Sequence, residues 1–113
     1  MIQIKRIYEE PGKDDGYRML VDRLWPRGIT KERADLNEWN KDIAPTDELR
    51  KWFGHQPEHF EEFSRRYRAE LKGKGEELQR LRELGRGQNL TLLYAARDAG
   101  MNQARVLLEV LKK

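Results

Sequence analysis

The chain has 113 residues, 37% hydrophobic and 38% charged, with 23 basic and 20 acidic side chains and a net charge of +3. That length suits one domain with a single modest core. The absence of cysteine excludes disulfides, thiolate catalysis and sulfur-ligated metals.

The charge excess is small for a dedicated duplex-DNA binder, although the pI is about 9.3. No apolar run approaches the length of a membrane span and no charged-then-apolar leader opens the chain, so the expectation is a soluble cytoplasmic protein of bacterial or archaeal style. Ten aromatic residues (three Trp, four Tyr, three Phe) interleaved with periodic aliphatics argue against disorder and supply the core. No internal repeat and no low-complexity segment stands out.

In chain order, Ile2, Ile4 and Tyr8 alternate with polar residues and predict a half-exposed strand. A polar turn, Glu9 to Gly16, leads into a second strand over Tyr17–Leu24, apolar on both faces at Met19, Leu20 and Val21 as in a covered strand. The short linker favours an antiparallel pair here, with a tight parallel return left open. Thr30 caps a short helical turn through Lys31–Arg33, and Leu36–Trp39 reads as a strand or a helix start. Thr46, followed by Asp47 and Glu48, opens a helix that stops at Gly54. Pro57 starts the next helix, with Phe60, Phe63, Tyr67 and Leu71 as its apolar stripe.

Lys72–Gly75 interrupts that rod, and a shorter helix over Glu76–Leu84 is closed by Gly85 and Gly87. Leu90–Ala96 is a central strand, and Asn102 caps a final helix whose Val106, Leu107, Val110 and Leu111 face the core. Helical segments between strands predict an α/β fold: a small, mostly parallel sheet flanked by helices, with a mixed sheet left open.

Ligands in open α/β sheets bind beyond the carboxyl ends of the strands. If the second and last strands are parallel neighbours, their exit loops share one edge and gather Asp22, Arg23, Trp25, Arg27, Asp98 and Asn102 beside the final helix. Arginines and a helix N-terminus suit a phosphate or carboxylate, with Trp25 as a stacking surface for a nucleotide base. Arg23, Trp25, Arg27 and Asn102 are therefore the ligand-binding candidates; Asp22, Asp98 and His55 are the acid–base candidates. Each has a structural alternative: a loop-fixing ion pair for Asp22 and Arg23, a core cap for Trp25, a solvated turn for Arg27, a helix cap for Asp98 and Asn102, a packed corner for His55. Two histidines separated by Pro57 give no zinc-binding helical face, and no metal site is expected. No serine elbow or phosphate-cradling glycine fingerprint is present, and the cofactor is unknown.

The run Gly16-Tyr17-Arg18-Met19-Leu20-Val21-Asp22-Arg23-Leu24-Trp25-Pro26-Arg27-Gly28 resembles domain-of-unknown-function family 488, in its YeaO-like branch. So do Ile43-Ala44-Pro45-Thr46, Glu48 to His55, and Leu92-Leu93-Tyr94-Ala95-Ala96 before Asn102-Gln103-Ala104. The resemblance spans nearly the whole chain and implies a single compact Rossmann-like domain of three layers, but no activity. Larger relatives carry a Cys-His-Arg motif that would fall near Asn102-Gln103-Ala104. This chain lacks that thiol and imidazole, so cysteine-dependent chemistry does not carry over.

The leading reading is thus a small intracellular domain with an anion or nucleotide pocket at the strand exits. The alternatives are a nucleic-acid-binding or regulatory module, less favoured by the small basic excess, and a protein-interaction module built on the charged helices from Pro57 to Leu84. Oligomeric state is not legible.

Overall fold

The computed structural model describes residues Met1–Lys113. Four strands, β1 (Ile2–Arg6), β2 (Tyr17–Leu20), β3 (Glu38–Trp39) and β4 (Leu90–Tyr94), form one all-parallel sheet in the order β1-β4-β2-β3. The helices are α1 (Lys31–Ala34), α2 (Asp47–Phe53), α3 (Phe60–Lys72), α4 (Gly75–Gly87) and α5 (Gln103–Leu111). β4 is paired on both edges and buried at every position, which accounts for its nearly unbroken apolar sequence. Its one polar residue, Thr91, donates its hydroxyl to the Asp15 carbonyl at 2.6 Å.

The antiparallel pairing favoured for the first two strands does not occur, because β4 inserts between β1 and β2 and both run parallel to it. Residues 7–16 carry the chain back along the sheet with only a 3₁₀ turn, Lys13–Asp15. Side chains fasten this return. The buried Asp15 pairs with Lys5 at 3.1 Å and with Arg18. Arg18 in turn donates from Nε to Asp35 O at 2.9 Å and from a terminal nitrogen to Ala34 O at 2.8 Å. Burial would raise the Asp15 carboxyl, but the Gly12 N–H, Lys5 and Arg18 hold it below the usual carboxylate range.

The two faces of the sheet are unequal. Met19, Val21, Leu90, Leu92 and Tyr94 pack into a cluster of 17 buried residues with Leu49 and Phe53 of α2, the α3 stripe, α4 and α5. Phe63, Tyr67 and Leu71 are the buried members of that stripe, as their spacing predicts. The opposite face carries only Ile7, Leu20, Ala34 and Leu93, with half-buried Trp25 and Trp39 packed on them. Its cover is the single turn of α1 and adjacent loops, so the second helical layer expected of a three-layer domain is reduced to a fragment.

Thr30, Thr46 and Asn102 all cap as their sequence positions predict, accepting from the backbone N–H of Arg33, Leu49 and Arg105. Leu36–Trp39 resolves into the short strand β3. Gly85 and Gly87 do not end a helix at Leu84; α4 runs through both. A Cβ at Gly85 would lie 2.4 Å from Ile2 Cγ1, so this glycine permits close approach of α4 to β1.

Candidate functional site

β2 and β4 are parallel neighbours, so their exits open on the same edge of the sheet. The Val21 N–H donates to Leu93 O at 3.0 Å. A continuing parallel ladder would next join the Ala95 N–H to the Val21 carbonyl. Instead Asp22 Oδ2 accepts from Ala95 N at 2.8 Å, and Gln103 Nε2 donates to Asp22 Oδ1 while approaching Val21 O at 3.5 Å. A carboxylate thus replaces the last rung, which is why β2 ends at Leu20 rather than at Leu24. Burial pushes the Asp22 carboxyl up to about 6, against the opposing pull of these hydrogen bonds and of Arg50.

In front of this junction lies a cleft of about 1000 Å³, at the upper end of what small-molecule sites occupy. Arg6, Arg23, Arg27, Arg50, Lys51 and Arg97 line it, against only two carboxylates, Asp22 and Asp98. Three of these cations have partners within the chain. Arg23 donates to Pro45 O at 2.9 Å and Ala44 O at 3.1 Å, Arg6 donates to Ala96 O at 3.0 Å, and Arg50 pairs with Asp47 at 3.2 Å. Arg27, Lys51 and Arg97 are exposed, and their side chains make no hydrogen bond or ion pair within the chain.

The structure brings Asp22, Arg23, Trp25, Arg27, His55 and Asp98 to this cleft. Asp98 also holds its loop, accepting from Gly100 N at 2.9 Å and Met101 N at 3.0 Å. Trp25 donates to Ile29 O at 2.7 Å and packs edge-on against Trp39 at 5.2 Å, so its ring is fixed largely by the core. Asn102 is fully buried and does not line the cleft. Its amide accepts from Arg105 N at 2.9 Å and donates to Asp98 O at 2.7 Å, so it caps α5 and ties down the loop before it. His55, at φ +58 after Gly54, is exposed at the mouth. His59 lies in the 3₁₀ turn Pro57–His59 and stacks on Trp52, away from it.

Sequence reasoning missed Gln103, the partner of Asp22, and the cationic contributions of Arg50, Lys51 and Arg97. Gln103 had one signal, its place directly after the cap Asn102 at the mouth of α5. Arg50 and Lys51 had none, because only folding turns the end of α2 toward the strand exits.

A family model described as "Inactive DUF488-N3 subclade" matches residues 1–113. The uncharacterised protein YeaO of Escherichia coli (strain K12) is 46% identical over 111 residues, covering 98% of this chain and 96% of its own length. Uncharacterised proteins of Mycobacterium bovis (strain ATCC BAA-935 / AF2122/97) and Mycobacterium tuberculosis (strain ATCC 25618 / H37Rv) are each 43% identical over 110 residues, covering 97% of this chain and 92% of theirs. No solved structure matches. Motifs, whole-length family match and whole-length relatives agree, and the chain belongs to the DUF488 family, in the group described as "Inactive DUF488-N3 subclade".

Proposed function

We propose that this domain binds a small anion in the strand-exit cleft and performs no covalent chemistry on it. The observation that carries this reading is the trio Arg27, Lys51 and Arg97, three exposed cations without internal partners around one cleft. Cations that serve only solubility scatter over a surface; converging donors around a concavity favour an anionic guest. The chain has no cysteine, and His55 has no hydrogen-bond partner to orient it as a base. The description of the subclade as inactive is in keeping with binding without turnover.

A thermal-shift titration with inorganic phosphate and organic phosphates tests the reading, since a ligand that binds only the folded state raises Tm. Arg27→Ala, which removes an exposed side chain, is expected to weaken binding about tenfold or more, because hydrogen bonds to charged groups contribute about 1.5–3 kcal/mol. Equal stabilisation of both proteins by every anion, or of neither, rejects it. A nucleic-acid ligand would instead show affinity falling steeply along a salt series.

A further inference from the structure

We propose that the anion is the tail of an organic phosphate bearing an aromatic ring, its charged end at Arg27, Lys51 and Arg97 and its aromatic ring against Leu24 and Met101. This rests on the anion-binding reading and names the class of ligand.

The observation is where the chain leaves apolar surface in water. It exposes four large hydrophobic side chains: Met1 at 70%, Leu24 at 56%, Met101 at 40% and Trp52 at 37%. Two of the four, Leu24 and Met101, line the same cleft as the free cations. Both stand on restrained loops. Arg23 ties the Leu24 loop to the Ala44 and Pro45 carbonyls, and the Met101 N–H is held by Asp98.

Leaving such side chains partly in water forgoes a share of the gain their burial would give. A bare inorganic anion recovers none of that, whereas a ring laid between Leu24 and Met101 does. Cationic rim and apolar walls in one cleft therefore select a molecule with both characters.

The half-buried wall adds a second requirement. Each Asp22 oxygen accepts one hydrogen bond and keeps further acceptor capacity, and Gln103 Oε1 has no partner. These acceptors suit an N–H or O–H on the ring. A carboxylate there disfavours the phosphate, which directs the charged end to the rim. Trp25, the stacking surface expected from the sequence, is already engaged by Trp39 and Ile29.

Calorimetric titration of the full chain with inorganic phosphate, ribose 5-phosphate, phenyl phosphate and the four common ribonucleoside 5′-monophosphates decides the matter. At least one of the phosphates that carry an aromatic ring, phenyl phosphate or a nucleotide, is expected to bind tenfold or more tightly than ribose 5-phosphate. A Leu24→Ser, Met101→Ser double variant, with Tm measured as a check on folding, is expected to lose most of that margin while ribose 5-phosphate affinity stays unchanged. Aromatic phosphates that bind no better than ribose 5-phosphate overturn this inference and leave the anion reading intact. A margin that survives in the double variant overturns the assignment to Leu24 and Met101. Failure of every phosphate to bind overturns both readings.

Discussion

Asp22 ties three parts of this molecule together. It closes the β2–β4 ladder with a side chain, holds Gln103 at the start of α5, and sits at the wall of the cleft. Its carboxyl is raised from 3.8 to about 6 by burial. The folded state therefore binds that proton more tightly than the unfolded chain does. The stability this provides is fully present below the unfolded value and is lost as pH rises through about 6. Full expression of the shift corresponds to roughly 3 kcal/mol between about pH 4 and pH 7. Asp22→Asn has no such proton to lose, and its amide satisfies both partners if the Gln103 amide turns over. Urea unfolding at both pH values is expected to show wild type losing stability relative to Asp22→Asn on the way up. A difference that does not change with pH would mean that Asp22 ionises as freely folded as unfolded.

At the scale of elements, the informative places are those where glycine lets two segments touch. Gly16 opens β2 at φ +63, and a Cβ there would lie 2.3 Å from Asn89 O. Gly85 lies inside α4 against Ile2 of β1. Helix propensity alone predicts that Gly85→Ala stabilises by up to about 1 kcal/mol. The contact with Ile2 predicts the opposite, a loss of about 1–3 kcal/mol from overpacking. Combining Gly85→Ala with Ile2→Ala is expected to remove the penalty, and a double-mutant cycle of denaturant midpoints reads this coupling. Absence of coupling would show that α4 and β1 do not press together here. The Gly85 misreading has the same origin: a glycine near a helix end reads as a stop signal when its packing partner, distant in the chain, is unknown.

Over the whole molecule, the two sheet faces are unequally covered, and stability follows that asymmetry. Leu92 and Leu93 are adjacent in β4 and both fully buried, yet Leu92 joins the 17-residue cluster and Leu93 the four-residue one. Core Leu→Ala substitutions cost about 2–5 kcal/mol, the spread depending on how far the surroundings collapse. Leu92→Ala, enclosed by helices, is expected near the upper end. Leu93→Ala, beneath loops and one helical turn that can settle inward, is expected near the lower. Equal losses in urea unfolding would mean that the loop-covered face is as rigid as the helical one. The cleft likewise belongs to the whole fold, since its cations come from β1, the exits of β2 and β4, and α2.

The amino-acid sequence by itself determined the local structure: the three side-chain helix caps, the α3 stripe, the buried character of β4, and the Asp22–Arg27 run as a strand exit that lines the cleft. These follow from interactions within a few residues, so a linear pattern records them. Strand order, the parallel return from β1 to β2, and the division of arginines between fold and cleft were decided only by tertiary structure. Arg23 and Arg27 look alike in the chain, yet Arg23 reaches carbonyls at Ala44 and Pro45 while Arg27 reaches none. Whether a guanidinium is spent or free depends on which distant carbonyl it meets, and only the folded chain sets that.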